Sequence, residues 1–118
     1  MTLRWLRRRG TSTVVFPRGL APYGRRAGFR DIVEMSWWEE IERAGLRITC
    51  TPAQHVSKRR PWDRNSSACC GYVIQAEGRT VYFAGDTGYG DFFRELGQRH
   101  AIDIALLPIL ENGGCFTF

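Results

Sequence analysis

The run Val81-Tyr82-Phe83-Ala84-Gly85-Asp86-Thr87-Gly88 is a β-prone stretch that stops at one glycine, presents a single carboxylate, Asp86, and turns through a second glycine. A carboxylate at a strand tip is held by rigid backbone on one side and open to solvent on the other. Its two oxygens can then bridge a pair of cations about 3.5–4 Å apart. The same residues also suit an Asx-turn or a helix N-cap, in which Asp86 accepts from backbone N–H groups. A second strand terminus, Thr51-Pro52-Ala53-Gln54, is followed by His55. Neutral imidazole is the commonest metal donor, and its other nitrogen needs an orienting partner, which Asp63 or Gln54 can supply. A lone histidine in a polar loop can equally be solvated. The remaining histidine, His100, follows a helix-like stretch, where a cation complements the C-terminal dipole, and it reads as structural.

Other chemistries find little support. There is no serine-nucleophile motif, no glycine loop built to cradle phosphate and no carboxylate pair at helical ligand spacing. Asp86-Thr87-Gly88 is like the Asp-Thr-Gly of aspartic proteases, but a second such carboxylate and an apolar flap are not evident. The four cysteines, Cys50, Cys69, Cys70 and Cys115, form no CxxC pair. Adjacent Cys69 and Cys70 point to opposite faces of a strand and cannot share one metal. Neither a disulfide framework nor a sulfur-ligated zinc follows, and reduced, cytosolic thiols are expected.

The elements that must position these groups can be read from periodicity. Leu3, Trp5 and Leu6 interrupt a basic helix that Gly10 would stop. Thr13 to Phe16 is a short strand ended by Pro17, Leu20 to Ala27 a helix closed by Gly28, and Asp31 to Met35 another short strand. Trp37 to Ala44 suits either a helical face or a strand. Leu46, Ile48 and Cys50 alternate with Arg47 and Thr49 as a half-buried strand. Ala53 to Ser67 has no hydrophobic period and is a long loop of the kind that is usually functional or disordered. Cys69 to Gln75 and Arg79 to Ala84 form a hairpin about Glu77-Gly78. Phe92, Phe93 and Leu96 mark a short helix, and Ile102 to Leu110 reads as a buried strand.

Composition bounds the class. With 118 residues, 43% hydrophobic and 13% aromatic, the chain can build a core, so disorder is not expected. No run approaches the roughly 18 apolar residues of a membrane span. The net charge of +5 comes from 17 basic and 12 acidic residues; sixteen of the basic ones are arginines and eight of those precede the first acid, Asp31. That N-terminal block has three readings: a transit peptide, an arm that meets phosphate or anionic lipid, and the solvated face of a helix. The arginine bias also suggests GC-rich coding and a bacterial source.

Taken in order, Trp37-Trp38-Glu39, Thr51-Pro52-Ala53-Gln54-His55, Arg59 through Asp63 and Asn65, Phe83-Ala84-Gly85-Asp86-Thr87-Gly88-Tyr89 and Ile102-Asp103-Ile104-Ala105-Leu106-Leu107-Pro108-Ile109 resemble the metallo-β-lactamase-fold hydrolases. The branch they look most like is the N-acyl-phosphatidylethanolamine-hydrolysing phospholipase D group. The resemblance implies an α/β fold, part of an αββα sandwich, over residues 1–109, with 110–118 a divergent tail. It also implies two zinc ions that activate water against a phosphodiester. His55 matches the family's middle histidine and Asp86 its bridging aspartate, while Trp37 and Trp38 match packing positions. A phospholipid or other phosphodiester substrate is implied, in a cytoplasmic protein with peripheral contact to the membrane, and nucleic acid is not. Because Thr2 to Gly28 already resembles folded family sequence, the transit reading recedes.

The chain also departs from the pattern. It contains no His-x-His-x-Asp-His, and Leu110 to Phe118 replaces the family's continuation towards its last histidine. Each zinc of such a site usually takes three protein ligands and a water, so two matched donors are expected to bind zinc weakly and to hydrolyse nothing alone. The expectation is an internal portion of the sandwich whose exposed apolar sheet promotes self-association. The competing expectation is a non-catalytic remnant, an arginine-rich module that binds anionic lipid or nucleic acid.

Overall fold

The computed structural model describes residues 2–54, 69–85, 87–88 and 90–108. Helix α1 (Thr2–Arg8) is followed by strand β1 (Thr13–Pro17), helix α2 (Ala21–Ala27) and strand β2 (Asp31–Met35). β1 and β2 pair in parallel, from Thr13 opposite Asp31 to Pro17 opposite Met35. Parallel neighbours need a crossover, which α2 supplies. The sequence weaknesses of α2 have local reasons. Pro22 lies in the first turn, where its missing N–H costs nothing. Gly24 is buried, and a Cβ there would come within 2.7 Å of the Phe16 ring.

The larger sheet runs β3 (Glu40–Arg43), β4 (Leu46–Pro52), β5 (Cys70–Ala76), β6 (Arg79–Phe83) and β7 (Ile104–Leu106), in that spatial order. The first four are antiparallel neighbours and β7 joins β6 in parallel. Helix α3 (Phe92–Arg99) makes the crossover between those last two. The ambiguous stretch from Trp37 is settled by pairing. Trp37 and Trp38 form a turn, and Glu40–Arg43 is a strand whose Ile41 lies opposite Ile48.

The core sits between the sheet and α3. Val73 of β5 and Tyr82 of β6 project from one face, with Ala84 just beyond, against Phe93 and Leu96 of α3; Trp38, Phe92, Ile102 and Leu107 close its edges. Tyr82 and Phe93 meet edge-on with centroids 6.3 Å apart. On the opposite face of the sheet, Cys50 points back towards β2, its thiol 3.9 Å from the carbonyl oxygen of buried Met35. The layers therefore run helix, sheet, sheet, helix.

Two expectations are corrected. Over its described part, residues 102–108, the run Ile102 to Leu110 is not a buried strand: there β7 spans Ile104–Leu106, and all three residues are exposed, while Ile109 and Leu110 lie outside the described residues. β7 is an edge of the sheet among the described residues, so the run's continuous apolar character does not reflect cover on both faces within this structure. His100 caps α3 through its N–H to the carbonyl of Leu96 at 3.0 Å, but partial burial pushes its imidazole pKa down, and neighbouring Arg99 adds to this while Glu40 opposes it. The role is structural, as expected, but burial works against the cationic form. The tail from 110 lies outside the described residues.

Candidate metal centre

Both matched donors, His55 and Asp86, lie outside the described residues, as do Arg59, Asp63 and Asn65. The structure describes what carries them. β4 delivers Pro52 and then Ala53 and Gln54, the residue before His55; β6 delivers Ala84 and Gly85, the residue before Asp86, and Thr87 follows it. These two exits are tied together. The Gln54 backbone N–H donates to the Thr87 hydroxyl at 2.8 Å, and the Gly88 N–H donates to the Gln54 carbonyl at 2.7 Å. The Thr87 hydroxyl in turn donates to the Gly88 carbonyl at 2.9 Å. Gln54 and Gly88 thus form an antiparallel bridge outside the regular strands.

The local sequence explains why the chain can close up here. Thr87 is almost fully buried, so its hydroxyl must find both a donor and an acceptor, and the backbones of Gln54 and Gly88 supply them. Gly85 has φ of 68°, and a Cβ there would sit 3.1 Å from the Cys70 carbonyl oxygen, so both conformation and space call for glycine. A Cβ at Gly90 would lie 2.8 Å from the Phe92 ring and 3.0 Å from the Gln54 amide carbon. The helix-cap reading of Asp86 is not met by α3, which begins at Phe92 with Asp91 in the N-cap position.

Near this joint are two buried hydroxyls, Thr51 Oγ1 and Tyr82 Oη, that no hydrogen bond of ordinary geometry satisfies among the described residues. Burial pushes the Tyr82 phenol up to about 12, partly offset by the neighbouring Thr51 hydroxyl. Gly71 makes this space, since a Cβ there would fall 2.7 Å from Thr51 Oγ1 and from the Phe83 carbonyl oxygen.

The described residues do not by themselves fit a metal. No group of three or more His, Cys, Asp or Glu side chains among them is arranged to hold one. Of the packing tryptophans, Trp38 packs against the core and carries the Arg99 guanidinium 4.2 Å from its ring centre, whereas Trp37 is largely exposed and donates its indole N–H to the Cys69 carbonyl at 3.0 Å. Nothing in the sequence alone marks Thr87 as the clasp between the two exits. It stands beside Asp86, but only the pairing with Gln54 gives that place meaning.

Comparison with known proteins agrees with this architecture. A family model described as the beta-lactamase superfamily domain matches residues 1–112. The mitochondrial N-acyl-phosphatidylethanolamine-hydrolyzing phospholipase D of Saccharomyces cerevisiae is 34% identical over 102 residues, covering 80% of this chain and 22% of the yeast protein. A metal-dependent hydrolase of Nitratidesulfovibrio vulgaris is 44% identical over 78 residues, covering 65% of this chain and 28% of that protein. The chain thus spans well under a third of either relative. Among solved structures, the diiron β-hydroxylase CmlA from Streptomyces venezuelae superposes with a TM-score of 0.68 at 20% identity, over 79% of this chain and 19% of CmlA. Zinc-bound PqqB from Methylobacterium extorquens does so with a TM-score of 0.61 at 18% identity, over 87% of this chain and 39% of PqqB. The chain belongs to the beta-lactamase superfamily, and its two sheets and flanking helices are part of that family's metallo-β-lactamase fold.

Proposed function

We propose that this chain contributes to a zinc-dependent hydrolase of phosphodiesters, with lipids of the N-acyl-phosphatidylethanolamine type as substrates met at a membrane surface from the cytoplasm. The observation that carries the reading is the clasp of Gln54, Thr87 and Gly88, which joins the chain next to His55 to the chain next to Asp86. The names of the yeast and Nitratidesulfovibrio relatives point the same way, one to a lipid phosphodiester and the other to a metal. Zinc, when bound, would lower the pKa of a water towards neutrality. What the chain itself supplies is two donors, each next in sequence to a described residue, Gln54 or Thr87, and those two are hydrogen-bonded to each other.

The test is zinc titration followed by turnover. Zinc binds weakly to the wild-type chain, and His55→Ala or Asp86→Ala lowers affinity at least about tenfold, or 1.4 kcal/mol. Thr87→Val keeps both donors but loses part of the affinity, and Thr87→Ser restores it. The chain alone turns over neither N-acyl-phosphatidylethanolamine nor bis(p-nitrophenyl) phosphate. Joined between a segment bearing the family's His-x-His-x-Asp-His and one bearing its last histidine, it cleaves both but not a β-lactam. Zinc affinity unchanged in both alanine variants overturns the ligand assignment, and lactam cleavage in place of diester cleavage overturns the substrate class.

A further inference from the structure

The first thirty residues hold eight arginines and no acid, and the structure shows where that charge goes. Arg4, Arg7 and Arg8 of α1, together with Arg25 and Arg26 of α2, are all exposed, and Arg9 and Arg30 beside the two helices are exposed as well. Among the described residues, no carboxylate comes within ion-pair distance of any of these seven. The nearest acid in sequence, Asp31, is engaged elsewhere, accepting from the Thr13 hydroxyl at 2.6 Å and lying 4.0 Å from Arg43. By contrast, Arg18, Arg43, Arg47 and Arg99 each have a glutamate or aspartate partner.

The two helices form one surface. α1 packs on α2, and the Arg7 side chain lies over Gly28, where a Cβ would be 3.0 Å from its Nε. Large apolar side chains stand among the cations instead of turning inward: Trp5 is 56% exposed, Tyr23 57% and Leu6 36%. The Arg9 guanidinium sits 5.1 Å from the centre of the Trp5 ring. Exposed tryptophan, tyrosine and leucine beside arginines that pair with no described carboxylate is the composition of a surface that lies in the interface of a bilayer, aromatic and aliphatic groups entering below the headgroups while the guanidinium groups meet phosphate. Leucine has no comparable use against a nucleic-acid backbone. No helix among the described residues is long and apolar enough to cross a membrane, so the contact is peripheral.

We propose that α1 and α2 together form a docking surface for an anionic phospholipid membrane, with Arg4, Arg8, Arg25 and Arg26 as phosphate contacts and Trp5, Leu6 and Tyr23 as shallow apolar anchors. The surface includes neither His55 nor Asp86, so it stands or falls independently of the hydrolase reading.

The experiment is co-sedimentation of the full chain with two vesicle types, phosphatidylcholine alone and phosphatidylcholine with phosphatidylglycerol. The chain binds the anionic vesicles and not the neutral ones, and the apparent affinity falls at least tenfold as salt is raised enough to shorten the Debye length severalfold. The exposed pair Arg25→Glu and Arg26→Glu, with an unchanged far-ultraviolet circular dichroism spectrum, loses at least tenfold; the pair Arg25→Lys and Arg26→Lys restores most of it. Trp5→Ser with Leu6→Ser weakens binding but keeps its salt dependence. Equal binding to neutral vesicles, or no loss in the glutamate pair, overturns the proposal. So does competition in which duplex DNA displaces the chain from anionic vesicles at equal phosphate concentration, which would assign the surface to nucleic acid.

Discussion

At the scale of single residues, the sheet makes a thiol pair that neither strand announces. Cys50 lies opposite Tyr72 and Cys70 opposite Pro52, so Cys50 and Cys70 are diagonal neighbours on the same face of β4 and β5. The Cys50 thiol and the Tyr72 hydroxyl beside the Cys70 sulfur favour its thiolate, and together they outweigh burial and draw the Cys70 pKa down to about 7. Cys50 moves the opposite way, because hydrogen bonding to Cys70, burial and nearby negative charge all hold its proton. A free thiol titrates near about 8.5. Taken alone, the lowered Cys70 value adds stability as pH rises from about 7 to the free-thiol value and loses it as pH falls through about 7, while above the free-thiol value the raised Cys50 works against it. Alkylation of Cys70 by iodoacetamide, read by tandem mass spectrometry to separate it from Cys69, should rise with a midpoint near pH 7. Cys50→Ala should move that midpoint upward. A midpoint at the free-thiol value in the wild-type chain would show that the neighbours do not act on this sulfur.

At the scale of elements, the two hairpins of the large sheet share one turn geometry with different chemistry. Ala44 and Gly45 join β3 to β4 with φ of 51° and 78°, and Glu77 and Gly78 join β5 to β6 with φ of 51° and 74°. Two positive φ values in a two-residue loop match the strand twist, and the first position is best filled by Asn, Asp or Gly. An L-residue with a Cβ pays about 1–2 kcal/mol for the left-handed region. Ala44→Asn should therefore raise stability by about 0.5–1 kcal/mol, or a few degrees in Tm, and Glu77→Asn should do likewise. An unchanged or lowered melting temperature in both would mean that the turns are not under this strain. The Glu77-Gly78 hairpin was legible in sequence because β-rich runs flank a turn pair. β3 was not, because Trp37, Trp38 and Ile41 fit a helical stripe as well, and only the Ile41 to Ile48 pairing decides it. The strand tips before His55 and Asp86 were legible from their glycine and proline stops. The Thr87 clasp and the Cys50–Cys70 diagonal were not, because each depends on registers between segments far apart in sequence.

At the scale of the whole molecule, a second set of exposed apolar side chains lies on the large sheet, outside α1 and α2, and it has its own consequence. Register places Val81 beside Ile104 and Phe83 beside Leu106, so the four share one face of β6 and β7, opposite the face that Tyr82 turns towards α3. Phe83 is 49% exposed, Ile104 56% and Leu106 51%. β2 lies over the Cys50 end of this face, where the Cys50 thiol is 3.9 Å from the Met35 carbonyl oxygen, and nothing among the described residues covers the β7 end to the same degree. Side chains of this size each gain about 1.5–3 kcal/mol on full burial, enough in combination to drive association at ordinary protein concentrations. β7 adds a short strand edge that no described residue pairs. The chain should therefore self-associate, with an apparent mass by light scattering that rises with concentration and a melting transition that shifts with it. Phe83→Lys with Leu106→Lys should return it towards the monomer mass while leaving the Tyr82 and Phe93 core intact, since both positions face away from α3. A monomer with a sharp, concentration-independent melt in the unmodified chain would mean that this face finds its cover within the chain.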